Sequence, residues 1–172
     1  RLASEIGAAP GTMTIDTVAG ILSAEARGDQ VKLGMTDPTD WRMGQSLELN
    51  GSTIQYDFVN SGVPHCVVTL DELESLDIMA TGSGIRYHDA FAPAGTNANF
   101  VTVTGPQALR IRSYERGVEG ETLACGTGMV AAALVSGKAW RITAPVELTC
   151  ASGDVLIVDF ELTDDGATNV TL

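Results

Sequence analysis

Lysine is almost missing from this chain: Lys32 and Lys138 stand among 172 residues, against 22 acidic residues and a net charge of −12. Phosphate backbones are held by clustered Lys and Arg, so nucleic acid is excluded as a partner. No apolar run approaches the roughly 18 residues of a membrane-spanning helix, and no segment reads as a signal peptide. No membrane partner is expected. Histidine is equally scarce, with only His65 and His88, and the three cysteines are Cys66, Cys125 and Cys150. An odd count without a CxxC pair argues against a disulfide framework and for a reducing cytoplasm. The same sparseness leaves no ligand spacing for a metal. The chain opens on Arg1 without a Met and closes on the alternating stretch Ala167–Leu172, so both ends read as cut.

What is present is ordinary soluble-protein stuff, 44% hydrophobic and 19% charged, at a length that fits about one domain. Arg1 to Gly7 reads as the tail of a helix. Strands are expected at Thr12–Thr17, Ile21–Ala26 and Gln30–Met35, with turns at Gly20 and Gly28-Asp29. The turn cluster Asp37-Pro38-Thr39-Asp40 places a boundary near Asp37–Gln45, dividing residues 1–40 from residues 41–172. In the latter, strands are expected at Ser46–Leu49, Thr53–Val59, Pro64–Leu70, Asn99–Thr104, Ala108–Arg116, Val146–Cys150 and Val155–Leu162. A helix should cover part of Asp71–His88. Gly128–Ser136 carries no charge on any face, and Gly137-Lys138 follows like a glycine stop. A helix that is apolar all round is buried all round. Strands wrapped about such a helix give an α+β fold with a curved, mixed, barrel-like sheet around it.

The segment feeding that helix runs Tyr114-Glu-Arg-Gly-Val-Glu-Gly-Glu-Thr-Leu-Ala-Cys125-Gly-Thr-Gly128. A thiol at a helix N-terminus sits in the positive end of the dipole, an effect of about 0.3–1 kcal/mol that lowers its pKa by roughly a unit or less. Cys125 is thereby expected to be an acid or base near neutral pH, and the cysteine most open to alkylation. The alternative is a small buried hydrophobe. Glycine-flanked N–H groups there would hold an anion such as a carboxylate. Alternation along Ala108–Arg116 puts Glu115 on the inward face with Leu109, Ile111 and Ser113, where it needs a partner or a job. A plain ion pair with Arg110 or Arg112 is the competing reading. Only one of His65 and Cys66 can reach a shared site; His65 would modulate a pKa or exchange a proton, or else is a structural histidine. Cys66 and Cys150 read as core. Asn97 and Asn99 offer amides to a carboxylate, or serve turn chemistry.

Taken together, Gly62–Val67, Ile85–Val101 and Tyr114–Gly128 resemble the diaminopimelate epimerase family. The resemblance implies two pseudo-symmetric lobes, each a curved sheet around a helix, with a catalytic cysteine from each lobe on opposite sides of the substrate α-carbon. It implies Cys125 as one of those cysteines and His65 as a pKa-modulating residue. Glu115, Arg116 and Asn97 fall at substrate-binding positions, with Glu115 also tuning the thiol, and Gly126 and Thr127 supply a backbone anion site. Further implications are a small amino-acid substrate, epimerised between LL- and meso-diaminopimelate without a cofactor on the way to lysine and peptidoglycan precursors, and a homodimer in the full-length protein. Two departures stand out: Val63 replaces an Asn that many relatives have, and the Asn-Gly-x-Arg-Cys motif of the other catalytic cysteine is absent from this sequence. The fragment alone is expected to be inactive. A pyridoxal route would need a Schiff-base lysine, and neither Lys32 nor Lys138 falls near the site.

Other readings stay open at this level. A proline-racemase-like enzyme would share the fold. Gly126-Thr-Gly-Met-Val-Ala131 satisfies a dinucleotide-binding pattern, with Glu147 about 20 residues on, but no apolar strand precedes it. A hydrolase using Cys125 and His65 would form an acyl-enzyme.

Overall fold

Strands dominate, as the alternating sequence demands. The computed structural model describes residues 1–17 and 20–172. It opens on a single helical turn, α1 (Leu2–Glu5), and a three-stranded antiparallel sheet of β1 (Thr12–Thr17), β2 (Gly20–Arg27) and β3 (Gln30–Leu33). The remaining strands form one nine-stranded sheet: β4 (Thr39–Leu49), β5 (Ser52–Asn60), β6 (Pro64–Thr69), β7 (Asn97–Gly105), β8 (Ala108–Glu115), β9 (Gly120–Thr122), β10 (Val146–Thr149), β11 (Val155–Leu162) and β12 (Ala167–Thr171). Backbone bonds from Leu33 to Leu172 in both directions, and from the Met35 N–H to Val170, attach the small sheet to the β12 edge.

The order along the large sheet is β12-β11-β10-β8-β7-β6-β5-β4, with β9 beside β8. Two pairs are parallel, β6 with β7 and β8 with β10. A parallel pair needs a crossover, and each crossover here carries a helix. α2 (Ile78–Arg86) bridges β6 to β7, and α3 (Gly126–Lys138) bridges β8 to β10. The two helices cover opposite faces. The α3 side buries Val59, Val67, Val101, Leu109, Ile111, Val146, Leu148, Val158 and Phe160; the α2 side buries Tyr56, Phe58, Cys66, Val68, Ala98, Phe100 and Tyr114. The fold is therefore α+β, a curved mixed sheet around a central helix.

Ten successive α3 residues, Gly128 to Gly137, are buried, as the charge-free stretch predicts. Its end is different from the sequence expectation. Gly137 is no stop: the helix runs on to Lys138, and the left-handed residue past the end is Trp140, at φ 58°. Gly137 is required for packing, because a Cβ there would sit 2.8 Å from the Phe160 ring. β4 begins seven residues before the expected Ser46. Its register shifts between Thr39 and Arg42 and again between Arg42 and Gln45, and those bulges erase the two-residue alternation that reveals a strand. The Asn50-Gly51 turn, with both φ values positive, closes the β4–β5 hairpin as that dipeptide dictates.

Candidate active site

Alternation sorts β6, β7 and β8 into two sets of side chains. His65 and Val67, Asn97, Asn99 and Val101, and Leu109, Ile111, Ser113 and Glu115 share the α3 side. Their neighbours Cys66, Val68, Ala98, Phe100 and Tyr114 pack under α2. The parallel β6–β7 register sets His65 beside Asn97 and Val67 beside Asn99. At this end of the sheet the α3 side changes from apolar to polar: His65 and Asn99 are fully buried, and Asn97 and Ser113 nearly so.

Cys125 is the N-cap of α3, in extended conformation, with no side-chain oxygen closing the first turn. Its Sγ lies 3.7 Å from Thr127 Oγ1. Gly128 is pressed between the thiol and Asn99: a Cβ there would stand 3.1 Å from Cys125 Sγ and 2.4 Å from Asn99 Oδ1. The N–H groups of Gly126 and Thr127 have no acceptor in the chain among the described residues. Ser61, buried in the turn after β5, donates its hydroxyl to the Thr127 carbonyl at 2.8 Å and anchors this first turn. Glu115 accepts a short 2.5 Å hydrogen bond from Thr122 Oγ1 across the β8–β9 hairpin. The arginines that competed for it are taken, Arg110 by Glu74 and Arg112 by both oxygens of Glu121. Glu115 instead acts on the thiol.

The sequence expectation for the thiol is reversed. Burial pushes the Cys125 pKa up, the Gly128 N–H counteracts this, the Glu115 charge raises it further, and the Thr127 hydroxyl opposes. Cys125 is 7% exposed, the same as Cys150, so the helix terminus does not leave it open to solvent. A dipole effect of at most ~2 kcal/mol loses to desolvation. Cys66 lies deeper, and burial drives its thiol far up, with the Asp57 charge adding to the effect. Cys66 and Cys150 do lie in the two apolar cores.

His65 is also corrected. Burial, aided by the Arg116 charge, lowers it to about 3, so it is a neutral imidazole and not a proton partner at neutral pH. Its Nδ1 faces Asn99 Nδ2 at 3.0 Å. Asn97 is a strand residue and serves no turn: Nδ2 donates to the Pro64 carbonyl at 3.0 Å, and Oδ1 accepts the Arg116 N–H at 2.9 Å. Asn99 is likewise in β7, with its amide committed inside the protein. Arg116 reaches the Ala94 carbonyl at 3.2 Å. Lys138 sits at the opposite end of α3, donating to the carbonyls of Thr163 and Asp164. Among the described residues no group of His, Cys, Asp and Glu side chains is placed to hold a metal ion.

The sequence profile of the diaminopimelate epimerase family matches residues 58–171, which include Ser61, His65, Asn97, Asn99, Ser113, Glu115, Arg116, Cys125 and Thr127. The chain belongs to the diaminopimelate epimerase family. Diaminopimelate epimerase of Aquifex aeolicus (strain VF5) is 40% identical over 163 residues, covering 93% of this chain and 58% of the relative. That of Chlorobaculum tepidum is 43% identical over 145 residues, covering 83% and 55%. The chain thus spans a little over half the length of these curated family members. Among solved structures, a hydroxyproline epimerase from Agrobacterium vitis with bound trans-4-OH-L-proline superposes with a TM-score of 0.71 at 17% identity, over 99% of this chain and 59% of that one. A methylitaconate-delta-isomerase gives 0.68 at 13% identity, covering 99% and 66%. At such identities the likeness speaks for the fold alone.

Sequence reasoning missed two contributors. Ser61 lies 66 residues from its partner Thr127 and carries no local signal. Ser113 was legible only as an inward position; its bond to Asn99 depends on the β7–β8 register.

Proposed function

We propose that this chain is the thiol-bearing lobe of a diaminopimelate epimerase, residues 41–172 forming the lobe and 1–40 a remnant of its N-terminal partner. The reading is carried by one juxtaposition: the Cys125 thiol, the Glu115 carboxylate and the free Gly126 and Thr127 N–H groups meet at the start of a buried helix. The N–H pair suits a substrate carboxylate at a positive helix end. Glu115, Arg116 and Asn97 line the same end of the sheet and are the proposed substrate contacts.

With a raised pKa, Cys125 rests as the neutral thiol. In the forward step a base on the far side of the α-carbon takes the C–H proton. The electron pair is left on carbon, and the S–H proton of Cys125 is delivered to the opposite face. The sulfur ends as thiolate and reverses the step on the next turnover. Two-sided transfer of this kind needs no cofactor, but it needs a second group facing Cys125. Cys66 and Cys150 are embedded in the cores and do not serve. The 172-residue chain alone is therefore inactive, and the whole gene product interconverts LL- and meso-2,6-diaminopimelate, in the cytoplasm and as a homodimer, for lysine and peptidoglycan precursors.

The test is substrate choice. The whole gene product is offered LL-diaminopimelate and L-proline separately, and the products are resolved by chiral chromatography. Conversion of the first but not the second is expected. Racemisation of proline alone would transfer the assignment to a proline-racemase-like enzyme.

A further inference from the structure

We infer that Asn99, anchored by Ser113, is a positioning residue that fixes His65 as the neutral Nε2–H tautomer, so that the one hydrogen-bonding function this histidine keeps free is a donor at Nε2. The inference rests on the proposed function, in whose site Asn97 is His65's register partner, but its test requires no turnover.

The amide orientation follows from its partners. Asn99 Nδ2 lies 3.3 Å from the Cys66 carbonyl oxygen, which can only accept. The nitrogen must therefore be on that side. Asn99 Oδ1 then takes the Ser113 hydroxyl, 2.9 Å away. The second Nδ2 hydrogen is directed to His65 Nδ1 at 3.0 Å, where it meets a lone pair. A neutral imidazole that accepts at Nδ1 carries its proton on Nε2. The alternative tautomer would set N–H against N–H. His65 and Asn99 are fully buried and Ser113 is 4% exposed, so no solvent relieves such a conflict. The Arg116 charge acts on the ring against a second proton. Nε2 itself is buried without an acceptor in the chain among the described residues. What the ring has left to give is one donor, which favours an anion such as a thiolate or carboxylate oxygen.

Gly128 connects this arrangement to the thiol. A Cβ at that position would fall 2.4 Å from Asn99 Oδ1 and 3.1 Å from Cys125 Sγ. The same missing methyl seats the amide and the sulfur against the first turn of α3.

The experiment is nitrogen-15 NMR of the uniformly labelled 172-residue chain. Its two histidines, His65 and His88, are told apart with a His88→Gln variant, since His88 caps a surface turn away from the site. His65 is expected to show a protonated Nε2 and a bare Nδ1 throughout pH 5–8. With its pKa at about 3 the ring is about 1% protonated at pH 5, where an ordinary histidine would be about 97% protonated. A scalar coupling through the hydrogen bond, from Asn99 Nδ2 to His65 Nδ1, is expected in the unmodified chain. Asn99→Asp, which sets an acceptor against Nδ1, should shift the proton to Nδ1. Should that variant fail to fold, the coupling and the tautomer of the unmodified chain decide. A ring protonated at Nδ1, a ring mostly protonated at pH 5, no such coupling, or a folded Asn99→Asp chain with an unmoved proton would each overturn the inference.

Discussion

The two faces of β6, β7 and β8 are built by the same alternation and have opposite characters. Under α2 the residues are Cys66, Val68, Ala98, Phe100 and Tyr114, and they do nothing but pack. Facing α3, one residue along in each case, stand His65, Asn99 and Ser113, bound to one another, Asn97, bound to the backbone of Pro64 and Arg116, and Glu115, acting on Cys125. Cys66 adjoins His65 in sequence yet is separated from it by the thickness of the sheet. The difference teaches that a thiol's neighbours, and not the presence of a thiol, make a site: both Cys66 and Cys125 are buried near a carboxylate, Asp57 and Glu115 respectively, but Cys125 stands at a helix start beside the Thr127 hydroxyl and the unpaired Gly126 and Thr127 N–H groups.

The sharpest way to break this contrast is to exchange each thiol for a hydroxyl. In the whole gene product, Cys125→Ser should lower kcat by about 10³-fold or more, because a serine hydroxyl is too weak an acid to replace a positioned proton donor. Cys66→Ser should leave kcat within a few-fold and lower stability by about 1–3 kcal/mol, the cost of a buried hydroxyl without a partner. Equal kinetic losses would erase the distinction between the faces.

The neighbouring His65 tests the polar face by pH. Its folded pKa, about 3, lies below the unfolded value near 6.5, so the unfolded chain binds the proton more tightly. Stability from this group is complete above pH 6.5 and declines as pH falls toward 3, by about 2 kcal/mol between 6.5 and 5 and up to about 5 kcal/mol in all. Urea unfolding at a series of pH values, with His65→Gln as the comparison, should show that slope vanish in the variant. A slope that persists would mean His65 ionises alike in both states.

At the far end of α3, Gly137→Ala should cost about 1–3 kcal/mol through overpacking, despite the roughly 1 kcal/mol that alanine gains in a helix. The same change in a Phe160→Leu background should cost less, since the ring 2.8 Å from the added Cβ is gone. Stabilisation by Gly137→Ala alone would deny the contact. The smallest effect expected is on thiol chemistry: Glu115→Gln removes a negative charge that raises the Cys125 pKa, so alkylation of Cys125 below pH 9 should quicken a few-fold. Mass spectrometry of timed labelling reads it, with Cys66 unchanged as the internal reference.

Much of this was legible in the sequence because it follows from periodicity. The buried helix announces itself as a charge-free run from Gly128 to Ser136, and the inward placement of Glu115 follows from counting by two from Leu109. The first half of β4 was hidden because its bulges break that count. Gly137 misled because a glycine near a helix end serves equally to stop it or to admit a neighbour, and Phe160 is not visible from Gly137 in sequence. The Cys125 pKa failed for a different reason. A helix dipole is local and can be read from sequence, whereas desolvation depends on what β7, β8 and the turn after β5 bring over the thiol.

The central claim, that Cys125 exchanges a proton with the substrate α-carbon, is tested most directly in deuterium oxide. The whole gene product, incubated with meso-diaminopimelate, should place deuterium at an α-carbon as the isomers interconvert, by NMR or mass spectrometry. In Cys125→Ser that incorporation should fall with epimerisation, while Cys66→Ser incorporates at a rate near that of the unmodified protein. Deuterium entering both α-carbon configurations undiminished in folded Cys125→Ser would contradict the account.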